Sequence, residues 1–246
     1  MTDLNATKLT PKVKRWITKD WAPFFPGLGV YKPMRFLRRV GPIMIGVCLD
    51  RGRGGEHYYP KFHISCLTND TADLPLTLCT QLQNERFSEV QGRLLRGPDF
   101  IAVKWHHRHY EDAAKRMNAQ ALLPLTGGLS CHQVIAAYRA YGSRQPHGLG
   151  LHEHREMPEI AAWAGDQKLA LSLFQETVRH IDGYEPRLRK NMEPWRDTPV
   201  TAEQWLAELE ERLANPEELR AAVERRIDEL KLRNLPSAPL LHSVEG

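Results

Sequence analysis

Two histidine-rich runs hold the residues whose types and spacing could do chemistry. Trp105-His106-His107-Arg108-His109 offers three imidazoles in four positions, and Leu151-His152-Glu153-His154-Arg155-Glu156 offers an HxH with neighbouring carboxylates. His147 lies just upstream of the second run. A metal site needs several such groups converging, with open positions if the metal is catalytic. An HxH in a strand or extended loop puts both rings on one side. On that basis His106, His107, His109, His152 and His154 could serve a metal-dependent hydrolase or nuclease. Neither run matches HExxH, a CxxC pair or another ligand spacing with a mechanism attached. Histidine-rich loops beside strand ends are also ordinary surface. Metal binding therefore stands as the alternative, and no cofactor is assigned.

A nucleophile is harder to assemble. No serine sits in a GxSxG elbow. Cys131 at an expected helix start, beside His132, could have a lowered pKa. Adjacent helical residues point in different directions, so His132 is not placed as its base, and a structural cysteine is the simpler reading. The four cysteines, Cys48, Cys66, Cys79 and Cys131, lack CxxC spacing and read as small buried hydrophobes.

Arg51-Gly52-Arg53-Gly54-Gly55 could present amides and guanidinium groups to a phosphate. It lacks the GK[ST] of a Walker loop and precedes a strand, so its glycines read as turn residues. With Arg35, Arg38 and Arg39 it could instead meet an anionic partner, with Tyr58 and Tyr59 offered for stacking or for a protein interface. Strand alternation puts Arg35 and Arg39 on one side and Arg38 on the other. Arg35, Arg39, Arg51, Arg53, Tyr58 and Tyr59 are thus the expected binding set.

The elements that must position these residues follow from periodicity. Ile43 to Leu49 is an apolar run, as in a strand covered on both faces. Phe62, Ile64 and Cys66 alternate with Lys61, His63 and Ser65, as in a strand wet on one face. Asp50 to His57 is the loop between them, and Met34 to Val40 is a third strand across Gly41-Pro42. Leu74 to Leu82 and Phe100 to Trp105 read as further strands, and Asn84 to Gly97 is ambiguous. Thr10-Pro11 starts a helix carrying Val13, Trp16, Ile17 and Trp21.

The rest reads as helix. Glu111 to Leu122 fits one. Ser130-Cys131-His132-Gln133 is a capping box opening a helix to Gly142. Pro158 opens another through Ala164, and Gly165-Asp166 breaks it before Gln167 to Ile181. That stretch resembles the helix-turn-helix of tetratricopeptide repeats, but without a second copy it reads as a plain helical hairpin. Thr201 to Gln204 is a second capping box, and Asn215-Pro216 starts a last helix striped by Leu219, Val223, Ile227 and Leu230.

The composition, with 41% hydrophobic and 26% charged residues, is that of an ordinary globular protein. No apolar run approaches the roughly 20 residues of a membrane span. The N-terminus lacks the apolar core of a secretory signal. A cytoplasmic protein without membrane contact is expected. The net charge of +4 hides an asymmetry: residues 1–61 carry 12 Lys+Arg against 4 Asp+Glu, and the remaining 22 basic and 26 acidic residues give −4. A basic N-terminal third suits an acidic partner.

The expected fold is α+β: an N-terminal helix and an antiparallel sheet of about three to five strands, followed by a helical C-terminal half. The expected division is a sheet region at 1–108, a helical region packed on it at 109–182, a linker at 183–200, a helical pair at 201–235 and a disordered tail at 236–246. An N-terminal helix, an aromatic loop and then RFLRR, IMIGVCL and KFHISCL resembles the layout of small bacterial α+β proteins from toxin-immunity and defence gene clusters. The resemblance covers the chain up to Leu67 and carries no catalytic motif. It implies a non-catalytic interaction subunit with a protein partner, nucleic acid being the other candidate partner.

Overall fold

Thr10 accepts a hydrogen bond from the Val13 amide and Pro11 occupies the first helical position, so helix α1 (Pro11–Trp21) starts where its sequence dictates. A computed structural model of the chain describes residues 6–69, 74, 77–88, 93–193 and 198–241. The chain divides into two units, the first comprising Met1–Ser65, Pro75–Leu129 and Leu232–Pro239, the second Cys66–Leu74, Ser130–Lys231 and Leu240–Gly246. The architecture is α+β, with an N-terminal helix, a mainly antiparallel sheet and helices through the C-terminal half.

The sheet of the first unit runs β1 (Gly29–Lys32), β2 (Arg35–Val40), β3 (Ile43–Arg51), β4 (His57–Cys66) and β5 (Leu78–Gln81), in that spatial order. β2 and β3 pair in register, Arg35 opposite Cys48 and Val40 opposite Ile43. The stretch 84–97, ambiguous in sequence, contributes to a separate ribbon of β6 (Gln83–Ser88) and β7 (Arg93–Pro98). Val13, Ile17 and Trp21 on α1 are buried. Trp21 continues through Phe25, at 6.0 Å between ring centroids, to Phe36 on β2 at a further 5.8 Å. This aromatic train fastens helix to sheet.

Met34, in the turn between β1 and β2, holds a left-handed backbone at φ 68°. Two contacts fix it: its amide donates to Thr18 Oγ1 at 2.8 Å, and its carbonyl accepts from the Leu49 amide at 2.9 Å.

Three expectations for this unit need correction. The strand expected at Phe100–Trp105 is only the two-residue β8 (Ile101–Ala102), followed by a 3-10 turn, Val103–Trp105. Helix α2 (His106–Gln120) starts five residues before the expected Glu111. Its polar first turn hides that start, yet His106, Ala113, Ala114 and Met117 form its buried stripe. The tail from residue 236 does not begin disordered: Ser237 and Ala238 pair in parallel with Arg39 and Val40. The Arg39 amide also donates to the Pro236 carbonyl, at 2.9 Å. β2 leaves that edge open beyond β1, and the returning chain satisfies it. Residues 242–246 lie outside the described ones.

The second unit is built on α3 (Cys131–Gly142), α4 (Leu151–Ala164), α5 (Gln167–Asp182), the single turn α6 (Pro186–Arg189), α7 (Ala202–Ala214) and α8 (Pro216–Glu229). Both capping boxes form, at Ser130 and Thr201. Gly165, at φ 83°, ends α4 and turns the chain into α5, the expected hairpin. Pro158, however, does not open α4; it lies inside it. A proline there leaves the carbonyl four residues earlier, that of His154, without its helical donor. Thr177 on α5 sets its hydroxyl 2.9 Å from that carbonyl. The proline is tolerated because the hairpin partner offers a substitute donor.

α4 also carries two fully buried carboxylates. Glu156 accepts from Tyr138 Oη at 2.6 Å and from Asn69. Glu159 pairs with Arg212 at 2.6 Å and Arg155 at 3.2 Å. Arg155 reaches Glu193 at 3.5 Å, and Glu193 accepts from the Trp205 indole at 3.2 Å. Part of the expected linker is therefore packed: Met192, Glu193 and Val200 are buried and the Met192 amide donates to Val200 O at 2.8 Å. Residues 194–197 lie outside the described ones.

Candidate interaction site

The loop joining β3 to β4 is a tight structure. The Gly52 amide donates to His57 O at 2.9 Å, and the Gly55 amide to Gly52 O at 3.0 Å. Gly54 and Gly55 hold φ of 80° and 75°, the left-handed region that glycine enters without steric cost. A Cβ on Gly55 would stand 2.7 Å from Arg51 Nε, so the Arg51 side chain lies across the loop at that glycine. β8 pairs with the start of β4, Ala102 opposite His57 and Ile101 opposite Tyr58. The Val103 amide donates to Glu56 O at 2.8 Å. Residues 100–108 are thereby laid beside the loop.

The juxtaposition produces an aromatic and basic surface. His57, Tyr59 and Phe100 form a ring cluster with centroid separations of 5.1, 5.4 and 6.2 Å. His57 Nε2 and Tyr59 Oη are 2.9 Å apart. Phe100 is 53% exposed and Trp105 39%. Arg108 and Lys104 stand 4.5 and 5.3 Å from the Trp105 ring centroid, within cation–π range. Arg51, Arg53, Lys104 and Arg108 are all exposed. Glu56 is the one carboxylate in residues 51–59 and 100–109.

Of the expected binding set, Arg51, Arg53 and Tyr59 meet here. Tyr58 does not: it is fully buried, its hydroxyl accepting from Trp21 Nε1 at 3.2 Å and lying 2.7 Å from His106 Nδ1. Alternation along β4 turns Tyr59 outward and Tyr58 into the core. Arg39 pairs with Met44, seven residues along β3 from Arg51, or roughly 23 Å at strand rise. It is no companion of the loop. Arg35, opposite Cys48, lies on the sheet face with Asp50, Lys61 and His63. Arg38 turns to the other face, as alternation requires, and is buried with its guanidinium donating to Gly127 O. Phe100 and Trp105 were missed because FIAVKW reads as a strand; the flanking Pro98-Asp99 and the following histidines are the signal that such a strand ends early.

The metal alternative finds no convergent site. His106 is buried, with Nε2 3.2 Å from Asp20 and Nδ1 facing Tyr58, so both nitrogens are occupied. Burial pulls its pKa down to about 4, against the pull of Asp20. His107 and His109 are exposed on the first turn of α2. His152 and His154 sit on the first turn of α4, and a helix turns residues two apart to nearly opposite sides. The His154 ring stacks on His180 at 3.9 Å, and burial lowers its pKa to about 4, with His180 adding to the effect. Among the described residues no three His, Cys, Asp or Glu side chains are arranged to hold a metal ion. None of their helices is long and apolar enough to cross a membrane. No protein-family model matches the chain, and neither a curated protein nor a solved structure shows significant similarity to it.

Proposed function

We propose that the chain is a non-catalytic interaction protein that docks an acidic protein partner through the β3–β4 loop and the adjoining residues 100–108. The observation that carries this is the exposure of two large aromatics, Phe100 and Trp105, inside a surface with four exposed cations and one carboxylate. Aromatic anchors ringed by arginine are the usual composition of an interface core, and the charge sets the sign of the partner. The role suits an accessory or immunity-type subunit of a bacterial defence system acting in the cytoplasm.

The test is capture at low salt with wild-type chain and with Arg51→Ala/Arg53→Ala, followed by binding isotherms for the captured partner. An acidic protein lost by the double variant, and lost further by Trp105→Ala, supports the reading. A nucleic acid in its place, with a log–log salt slope that drops by about one per arginine removed, would assign the surface to phosphate backbone instead. Equal capture by both chains would remove the surface from consideration.

A further inference from the structure

The docking surface has its electrostatic complement within the same sequence. Residues 51–59 and 100–109 carry four Lys+Arg against one Glu, a balance of +3. Residues 202–229, which form α7, α8 and the turn between them, carry nine Asp+Glu against four Arg, a balance of −5. Residues 62–246 total −4, so their whole acidic excess sits on this helical pair.

Charge alone would leave α7 and α8 an ordinary solvated surface, but they also border two grooves. The larger, of about 650 Å³, is lined by Pro199, Val200 and Ala207 together with Glu208 and Glu211. The smaller, of about 250 Å³, is lined by Leu219 and Ala222 together with Glu211 and Glu218. Glu211 borders both, and Pro199, Ala207, Glu211 and Glu218 are exposed. Grooves that accept an organic group run from about 300 to 1,000 Å³, and the larger one falls in that range.

The match goes beyond the sign of the charge. Trp105 is exposed with Lys104 and Arg108 within cation–π range of its ring, so this aromatic arrives with cations beside it. The larger groove offers the reverse, apolar side chains with carboxylates beside them. An indole seated against Pro199, Val200 and Ala207 brings Lys104 and Arg108 toward Glu208 and Glu211. Resting on the docking reading above, we propose that the acidic partner is a second copy of this chain, whose larger α7 groove receives Trp105. Unlike surfaces of this kind either close reciprocally in a two-fold dimer or run head to tail. Rim charges of this sort make the association sensitive to salt.

The experiment is sedimentation velocity of the full chain at low salt over rising concentration. Mass above the monomer, falling when salt is added, is expected. Arg53→Glu/Arg108→Glu and Glu211→Lys/Glu218→Lys should each weaken association at least about tenfold. An equimolar mixture of the two variants should associate again, because each reversed surface then meets its opposite. All four residues are exposed, so both variants should fold, and circular dichroism verifies it. No recovery in the mixture overturns the proposal, as does undiminished association of Glu211→Lys/Glu218→Lys. Wild-type chain that stays monomeric at every concentration also overturns it, and leaves the docking surface to be judged by the low-salt capture. Association undiminished by both Arg53→Glu/Arg108→Glu and Trp105→Ala overturns this proposal and the docking surface together.

Discussion

The Tyr58 hydroxyl lies 2.7 Å from Nδ1 of His106, and the pair closes a one-way chain of hydrogen bonds across the first unit. An indole can only donate, so Tyr58 accepts from Trp21 and must pass its own proton to Nδ1. That leaves the hydrogen of His106 on Nε2, aimed at Asp20. The chain ties α1, β4 and α2 together and fixes one neutral tautomer. Tyr58→Phe removes its central link and leaves the Trp21 donor and the His106 acceptor unpaired. A loss of about 1–3 kcal/mol is expected, read as a lower denaturant midpoint with an unchanged slope. Binding by the folded fraction should be unaffected.

Acid should destabilise the protein well above the carboxylate range. His63, His106 and His154 have folded-state pKa values pulled down to about 4, chiefly by burial, from an ordinary 6.5. Below 6.5 the unfolded chain takes up protons that the folded chain refuses. The stabilisation is therefore complete above pH 6.5 and is lost as pH falls toward 4, by about 1.4 kcal/mol per pH unit for each histidine. Urea midpoints across that window check the sign, and His106→Gln should remove roughly a third of the slope.

The donor supplied to the α4 carbonyl predicts a non-additive pair. Thr177→Val leaves His154 O unpaired and should cost about 1–2 kcal/mol. Pro158→Ala restores an amide that can reach that carbonyl along the helix. In the Pro158→Ala background, Thr177→Val should cost markedly less. Equal costs in both backgrounds, measured by chemical denaturation, would mean that the hydroxyl serves Leu173 O, 3.0 Å away, instead.

Thr18→Val tests how the left-handed Met34 is held. The substitution conserves shape and removes the acceptor of a buried amide, so a loss of about 1–3 kcal/mol is expected. Thermal unfolding of Thr18→Val against wild type checks it.

Signals carried by short-range chemistry were legible in the sequence: both capping boxes, the Thr10-Pro11 start, the β3–β4 hairpin with its glycine loop, and the Arg38 alternation. The rest depends on partners far away in the chain. Pro158 reads as a helix start because the rescuing hydroxyl lies 19 residues later, at Thr177. The run at 106–109 reads as loop because a histidine satisfied by Tyr58 and Asp20 looks no different from one in solvent. Tyr58 and Tyr59 are equivalent by type, and only the phase of β4 decides which one faces outward.

The return of the chain to β2 has a consequence for biosynthesis. Arg39 and Val40 meet Ser237 and Ala238, and Gly29 approaches Pro236 so closely that a Cβ would stand 2.6 Å from its ring. The edge of the first unit is thus finished by a segment translated after residues 130–231. Residues 130–231, the bulk of the second unit, are translated between the two halves of that contact. At roughly 5–20 residues per second the nascent sheet waits about 5–20 s with that edge uncovered. Chaperone dependence and losses to aggregation should therefore concentrate in that interval, and slowing translation across the codons for residues 130–231 should lower the yield of soluble chain.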